Sequence, residues 1–310
     1  MFFQNIYKGL ITRFILSFTI ITGATGTIGK QLVQIILRNT DDYIVCVTRS
    51  KLDKDFVHSN RLTEMSCEDF LEETVGEYDV LIHLAFARAN KGNEAIGESL
   101  RFTELVFSKA VSLEIPKILY ISSQGIYGST PLIRNVAMVV APSSVYSMAK
   151  YAGELLLQEC IRQSESKFII LRLDNVIESQ NLVRALCKNA IYNHKISLIG
   201  GHQVFSYISS FDAANAIFLS YKCQLRENAI YNVGPDRMRV SLIEIGEIIR
   251  TIALERGSEI QVSLQEDDTE LWAGMDSKQF TEDTGWRPSV GLYDMIKGIY
   301  IQTEKTNQGG

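Results

Sequence analysis

The chain contains little proline and little cysteine, and it carries no excess of positive charge. Five prolines in 310 residues, with 46% apolar and 22% charged side chains, exclude a collagen-like or disordered polymer and fit a globular protein. Lysine and arginine number 31 against 36 aspartates and glutamates, so the net charge is −5. This balance gives no global attraction to nucleic acid or an anionic membrane, and we expect neither as a partner.

The few cysteines do not form a recognisable framework. Their number is odd, they are widely spaced, and no two form a CxxC pair, which argues against disulfides and a zinc site. We therefore predict reduced thiols, no metal and a cytoplasmic protein. The five are Cys46, Cys67, Cys160, Cys187 and Cys223.

The first apolar run is too short to cross a membrane. Lys8 and Arg13 precede residues 14–21, a pattern similar to a signal peptide, but about 20 apolar residues are needed for a spanning helix. Cleavage near Ala24 would cut a glycine-rich loop that the fold requires, so we predict no secretion. Residues 1–17 are interpreted as an N-terminal extension, a loosely packed tail or alternatively an adhesive surface.

Short β-rich apolar runs alternate with helical patterns as far as residue 175. This alternation predicts βαβ units and a doubly wound parallel sheet, hence an α/β fold. After residue 175, helices near 181–192, 211–222, 241–256 and 276–298 with short strands predict a smaller mixed α/β substrate lobe. We divide the chain into 18–175 and 176–310, one compact unit in which the chain may cross between lobes. The predicted strands are 18–22, 43–48, 79–84, 117–122, 168–173 and 229–233.

A glycine-rich loop, TGATGTIG at 22–29, follows the first strand and begins the first helix. Its glycines allow a tight turn and close approach of a pyrophosphate, which the helix N-terminus then faces. The position after a strand and before a helix predicts a Rossmann-like dinucleotide site. The predicted cofactor-binding residues of the loop are Gly23, Thr25, Gly26, Thr27, Ile28 and Gly29.

The end of the second strand bears on the choice of cofactor. NAD-binding sites usually carry an acid about 20 residues after the loop. Here Arg49 stands 20 residues after Gly29, and no carboxylate follows before Asp53. A cation there suits the 2′-phosphate of NADP, so NADP is favoured, and NAD with Arg49 stacked on adenine is the alternative.

Tyr146 and Lys150 stand four residues apart, on one face of the helix predicted over 146–161. A phenol with an ordinary pKa of about 10 is a weak base, and a nearby ammonium lowers that pKa. Ser123 follows a predicted strand at the sheet edge where such folds hold active sites. We predict that Ser123 binds the substrate oxygen and that Tyr146 transfers a proton. Lys150 is predicted to hold the nicotinamide ribose as well. The alternative for Ser123 is that its hydroxyl only caps the end of the strand.

Taken together, these motifs resemble the extended short-chain dehydrogenase/reductase family, the NAD-dependent epimerase/dehydratase group, over roughly residues 18–300. The resemblance implies that Leu84 and Ala85 line the cofactor and that Asn175 contacts substrate. It implies hydride transfer at a sugar carbon, usually of a nucleotide-linked sugar, by an NAD(P)-dependent epimerase or reductase. The motifs are TGATGTIG at 22–29, DVLIHLA at 79–85, YISSQGIYG at 120–128, YSMAK with Glu154 at 146–154, LRLDNV at 171–176, YNVG at 231–234 and DSKQFTEDTGWRP at 276–288.

The chain departs from the family pattern where acids and arginines are expected. Gln124 stands where sugar 4,6-dehydratases have an acid, so elimination lacks its acid and base. Phe205 occupies a position that often carries a phosphate-binding arginine, and residues 261–276 contain no arginine or lysine. Arg184 is the predicted substitute for binding a diphosphate.

Two alternatives to the nucleotide-sugar prediction stay open. The missing arginines and Arg49 favour an NADPH-dependent carbonyl reductase whose substrate lacks a diphosphate. The other is a non-catalytic NAD(P)-binding regulator, against which the intact set Ser123, Tyr146 and Lys150 argues. The resemblance also implies a possible homodimer through residues 100–111 and 155–161.

Overall fold

A computed structural model describes residues 16–52 and 59–307 of the chain. Most of the predicted N-terminal extension, together with Asp53, lies outside the described residues. The strands are β1 (Phe18–Thr22), β2 (Tyr43–Val47), β3 (Leu62–Met65), β4 (Val80–His83), β5 (Lys117–Ser123), β6 (Lys167–Leu173), β7 (Asn175–Val176), β8 (Lys195–Ile199), β9 (Val204–Phe205), β10 (Tyr207–Ile208), β11 (Ala229–Val233), β12 (Val240–Ser241) and β13 (Gln261–Gln265). The helices are α1 (Thr27–Asn39), α2 (Cys67–Glu72), α3 (Asn93–Ser112), α4 (Val145–Cys160), α5 (Asn181–Asn193), α6 (Ser210–Lys222), α7 (Leu242–Glu255), α8 (Lys278–Thr284) and α9 (Leu292–Asn307).

Seven parallel strands form the central sheet, in the order β11-β6-β5-β4-β1-β2-β3. The order reverses direction between β1 and β4, so the cavity at their carboxyl ends lies at the switch point that doubly wound sheets use for ligands. The predicted Rossmann-like α/β fold is confirmed. The predicted strands agree with β1, β2, β4, β5, β6 and β11 to within one residue at each end.

Apolar side chains fill both faces of the sheet, which is why its strands are nearly continuous hydrophobic runs. Ile20 packs on the face covered by α3 and α4, and its neighbour Ile21 packs on the face covered by α1 and α6. The same alternation recurs along β5, where Ile118 and Leu119 belong to the two different cores. The sheet is thereby fixed between two helical layers, with its carboxyl edge open to form a site.

A third core forms the smaller lobe, where α5, α7 and α9 pack together beside β8 and β13. The chain does cross between the lobes: α6 packs on α1, and β11 completes the large sheet beside β6. The division at residue 175 therefore describes the order of the sequence better than the arrangement in space.

The single helix predicted over 276–298 is wrong, because two helices occupy this stretch. α8 ends at Thr284 and is followed by Gly285, whose φ of 71° is a left-handed conformation suited to glycine. Pro288 then lies before α9 starts at Leu292. Among the described residues no helix is long and apolar enough to cross a membrane. All five cysteines are free thiols.

Candidate active site

The glycine loop forms a tight cradle between β1 and α1. Gly23 has a φ of 75°, and a Cβ at this position would lie 2.7 Å from the backbone nitrogen of Ala85. A Cβ at Gly29 would lie 2.2 Å from the carbonyl oxygen of Gly23. α1 begins after Gly26 without any side-chain cap, so its first N–H groups are available to an anion. These features fit the pyrophosphate of a dinucleotide.

A cavity of about 470 Å³ opens at the carboxyl edge of the sheet and reaches the start of α5. Most of the residues predicted from the sequence meet in it, although they come from five separate segments. The predicted residues that line it are Gly23, Gly26, Thr27, Ile28, Gly29, Leu84, Ser123, Tyr146, Lys150 and Asn175. The structure thus brings the predicted cofactor loop and the predicted catalytic residues to one place.

Tyr146 lies in this cavity near the beginning of α4, which starts after the capping residue Ser144. Burial raises the pKa of Tyr146 to about 12, while the hydroxyl of Ser123 and the positive charge of Arg88 act in the opposite direction. The phenol is therefore protonated at neutral pH in the chain alone. Ser123 also accepts a hydrogen bond from the backbone N–H of Gly125 at 3.2 Å, which orients its hydroxyl.

Lys150 is one helical turn beyond Tyr146 and is only 4% exposed. Its Nζ donates to the carbonyl oxygen of Ile121 at 2.8 Å and lies 4.1 Å from the centre of the Phe86 ring. Burial lowers the pKa of Lys150 to about 7, and the nearby carboxylate of Glu154 partly restores it. The ammonium is thus anchored on β5 with its remaining hydrogens available to the cavity.

Two residues of the loop after β4 belong to the site and were missed by the sequence reasoning. Arg88 lines the cavity, and its Nη2 donates to the hydroxyl of Thr27 at 2.8 Å, beside the start of α1. Phe86 lines the cavity and packs edge-on against Tyr146. The sequence indicated these two residues only by their place just after the DVLIHLA motif. The fold is needed to show that Arg88 lies beside the cradle formed by the glycine loop.

His83 connects the glycine loop to α3 below the cavity. Nδ1 lies 2.7 Å from the hydroxyl of Thr22, and Nε2 lies 2.9 Å from the hydroxyl of Thr103. Because the Thr103 hydroxyl already donates to the carbonyl oxygen of Ser99, it must accept from Nε2–H of His83. Burial lowers the pKa of His83 to about 3, so the ring is neutral and holds Thr22 in place.

Asn175 is positioned by neighbours on both sides. Its Oδ1 accepts from Nε2 of Gln124 at 3.2 Å, and its Nδ2 donates to the carbonyl oxygen of Ser206 at 3.2 Å. Gln124 therefore supplies an amide where elimination would require a proton donor. This side of the cavity presents amides next to Ser123.

Four predicted site residues do not line the cavity. Thr25 is part of the glycine loop but does not line the cavity, and Ala85 donates its backbone N–H to the hydroxyl of Thr22 at 3.3 Å. Arg49 is exposed after β2, and its positive charge lowers the pKa of the Cys67 thiol against the effect of burial. Arg184 instead reaches the carbonyl oxygen of Glu178 and Oε1 of Gln302. The structure does not bring Arg184 into the substrate side of the cavity.

Comparison with known proteins now gives the class. Residues 19–234 match the model of the NAD dependent epimerase/dehydratase family, and the chain belongs to this family. The predicted resemblance is thereby confirmed.

Individual relatives are similar over nearly the whole chain. The chain is 25% identical to a putative UDP-glucose 4-epimerase of Methanocaldococcus jannaschii, over 93% of this chain and 99% of that protein. It is also 25% identical to the low-salt glycan biosynthesis protein Agl12 of Haloferax volcanii, over 90% of this chain and 96% of that protein. The solved UDP-glucuronic acid 4-epimerase of Bacillus cereus, in complex with UDP-glucuronic acid and NAD, has the same fold. Its TM-score is 0.79 at 18% identity, with 93% of this chain and 99% of that chain covered.

Proposed function

We propose that the protein is a nicotinamide-dependent epimerase of a nucleotide-linked sugar. The observation that carries the proposal is the meeting of Ser123, Tyr146 and Lys150 in one cavity with the glycine cradle. The glycine cradle would hold a nicotinamide dinucleotide, which would supply reversible hydride transfer, so that the sugar carbon can lose a hydride from one face and regain it on the other. The chain's own residues must then move the hydroxyl proton and hold the reacting groups in place.

Tyr146 is the group proposed to exchange this proton with the sugar hydroxyl. Its phenol is protonated at neutral pH, so it is ready to donate when a keto sugar is reduced. Removal of a proton from the sugar needs the phenolate, which positive charge in the cavity favours. Arg88 already acts in that direction, and the positive ring of an oxidised nicotinamide adds to it.

Ser123 and Lys150 are proposed to orient the reacting groups. The Ser123 hydroxyl interacts with Tyr146, so a sugar oxygen bound between them has a donor and a proton carrier together. Lys150 is fixed to Ile121 and is proposed to hold the nicotinamide ribose through its free hydrogens. Gln124 offers no acid, which supports inversion of a centre rather than elimination of water.

For the cofactor, we propose a preference for NADP over NAD. Residues 48–52 are described and contain Arg49 but no carboxylate to accept the ribose hydroxyls. The exposed guanidinium of Arg49 offers bidentate hydrogen bonds and positive charge to a 2′-phosphate.

A second candidate is a carbonyl reductase whose substrate has no diphosphate. The observation in its favour is the composition of the cavity: among the described lining residues the cationic ones, Arg88 and Lys150, both lie at the cofactor end. The substrate end is lined instead by Asn175, Gln180 and Asn181, with Asp174 beside them.

We also propose a homodimer through the groove between α3 and α4. Leu105 and Leu155 are 43% and 50% exposed on these helices, whereas Val106 and Leu157 are buried. The groove carries both Arg101 and Glu104, so a two-fold axis could pair opposite charges from two copies. Light scattering that gives the mass of a monomer at all concentrations would contradict this assembly.

The proposed function is tested by incubating the purified protein with UDP-, dTDP- and GDP-sugars and a catalytic amount of NAD or NADP. The proposal predicts a product that is an isomer of the substrate sugar with the same mass, and no net change in the absorbance of the reduced cofactor. Stoichiometric consumption of NADPH with carbonyl compounds, and no reaction with any nucleotide sugar, would support the reductase instead.

A further inference from the structure

Three arginines from two distant parts of the sequence, Arg134 and the neighbouring Arg237 and Arg239, converge on the chain segment 272–276. Arg134 exchanges backbone hydrogen bonds with this segment, from its N–H to the carbonyl oxygen of Gly274 and from the N–H of Asp276 to its own carbonyl oxygen. Arg239 donates through Nε to the carbonyl oxygen of Ala273 at 3.1 Å. Arg237 donates through Nη2 to the carboxylate of Asp276 at 3.0 Å. The segment that lacks basic residues in sequence is thus surrounded by guanidinium groups in space.

Arg134 is the central member of this cluster and is incompletely paired. It is only 3% exposed, and Nη2 donates to the carbonyl oxygens of Gly128 and Trp272. Its Nε and Nη1 are buried without a hydrogen-bond partner, and no described carboxylate forms an ion pair with it. A buried guanidinium N–H without a partner costs free energy, so these two donors need an acceptor from elsewhere.

Other unpaired donors accompany those of Arg134. Nε1 of Trp272 and the hydroxyl of Ser277 are also buried, and neither has a hydrogen-bond partner among the residues that the structure describes. The guanidinium of Arg239 lies 5.8 Å from the Trp272 ring, and Arg134 donates to the backbone carbonyl oxygen of the same residue. Buried donors that concentrate in one place, with positive charge beside them, are complementary to a multivalent anion with several acceptor oxygens.

The cluster adjoins the cavity through Asp174. This residue lines the cavity, and its charge interacts with that of Arg134 across a gap too long for an ion pair. Arg134 lies between β5 and α4, and the segment 272–276 lies between β13 and α8, so both belong to loops. Separation of these loops would open the unpaired donors to a ligand that extends from the cavity.

We propose that Arg134, Arg237 and Arg239 bind the diphosphate of the nucleotide-linked substrate. Arg134 provides the buried contact, and the two exposed arginines at the rim attract the anion and complete its hydrogen bonds. The inference rests on the proposed function, because it identifies the phosphate-binding residues of that substrate. It also explains how the chain can bind phosphate without a cation at Phe205 or within 261–276.

Calorimetry with the full chain tests this site with UDP, inorganic pyrophosphate and uridine as probes. The double variant Arg237→Gln/Arg239→Gln should weaken UDP and pyrophosphate at least tenfold, and higher salt should weaken both ligands in the wild type. Arg134→Gln should weaken them further if it folds. Arg250→Gln is the matched control, because this exposed arginine of α7 pairs only with Glu247 and should leave all affinities unchanged.

The outcomes separate the site from the proposed function. UDP and pyrophosphate affinities that stay at the wild-type level in the double variant would overturn the site, whether or not Arg134→Gln folds. Binding of uridine equal to that of UDP would overturn it as well. If phosphate binding depends on the arginines but no nucleotide sugar reacts, the site stands and the function fails. If sugars react and their KM is unchanged in the double variant, the function stands and the site fails.

Discussion

Glu154 and Arg172 form a fully buried ion pair that fastens the helix of Tyr146 and Lys150 to the sheet. Oε1 and Oε2 of Glu154 accept from Nε and Nη2 of Arg172 at 3.1 and 2.8 Å. The two side chains are 0% and 4% exposed. Ser122 donates to the same carboxylate at 2.5 Å, so α4, β5 and β6 meet at one group directly behind the site.

Loss of this carboxylate should destabilise the protein strongly. Glu154→Gln leaves the buried guanidinium of Arg172 without its counter-charge, and breaking a buried pair typically costs about 3–5 kcal/mol. We expect a decrease of this order in the free energy of unfolding, measured by urea denaturation. Glu159→Gln is the control on the same helix, since its pair with Arg162 is exposed and contributes little. Equal stability of the two variants would show that the buried pair is unimportant.

Removal of the Tyr146 hydroxyl should abolish turnover while the cofactor still binds. In Tyr146→Phe the ring still packs against Phe86, but nothing exchanges the substrate proton, so the rate should fall about 10²- to 10⁴-fold. Turnover and cofactor titration should be compared with Tyr293→Phe, a tyrosine of α9 bonded to Glu255. Wild-type turnover in Tyr146→Phe would remove this residue from the mechanism.

Loss of the charge at Arg88 should weaken cofactor binding. Its guanidinium is held by Thr27 at the start of α1, next to the expected position of the pyrophosphate. Arg88→Gln should raise the Kd of the dinucleotide about tenfold, which corresponds to one charge-assisted hydrogen bond of about 1.4 kcal/mol. Fluorescence titration of the reduced cofactor measures this change, and an unchanged Kd would place Arg88 outside the cofactor site.

His83 should make folding less stable in acid. Its pKa is about 3 in the folded chain and about 6.5 in the unfolded chain, so between these values only the unfolded state is protonated. The free energy of unfolding should then fall by up to about 1.4 kcal/mol per pH unit as the pH drops below 6.5.

The variant His83→Gln isolates this contribution. Asp174, whose pKa burial raises to about 6, acts in the opposite direction between pH 6 and 3.8, but it is present in both proteins and cancels in their difference. Urea denaturation at several pH values should show the stability advantage of wild type over His83→Gln shrinking as the pH falls. Parallel pH profiles for the two proteins would contradict a neutral buried imidazole.

Arg49 should discriminate between the two cofactors. Arg49→Gln should raise the Kd of NADP about tenfold and leave that of NAD nearly unchanged, because only NADP carries the 2′-phosphate. Tighter binding of NAD than of NADP by the wild type would overturn the proposed preference.

The local motifs were predicted from sequence, whereas their long-range partners were not. The loop at 22–29 could be predicted because its glycines stand between a strand and a helix that are next to it in the sequence. The pair Tyr146–Lys150 could be predicted because residues four apart lie on one face of a helix. The edge strand β3 was missed because only two of its four residues are apolar and none of the four is fully buried. Arg88 and Arg134 were missed because only the packing of distant loops gives them their surroundings.

The sequence also misplaced the substitute for the absent arginines. Arg184 was predicted from its position near the start of the next helix, but its guanidinium turns toward Gln302 of α9. Arg134 is more than a hundred residues from the segment it meets, and the bridge between Arg134 and Met275 that joins them is a tertiary pairing. No periodic pattern in the sequence predicts a contact between residues that are so far apart along the chain.

The most direct test of the central claim is an incubation with nucleotide sugars and catalytic NAD(P) in deuterated water, analysed by NMR and mass spectrometry. Hydride transfer through the cofactor predicts an epimer whose inverted carbon keeps its original hydrogen, with no deuterium from solvent at that carbon. Failure to invert any nucleotide sugar, or inversion with deuterium incorporated at the inverted carbon, would contradict the proposed epimerase.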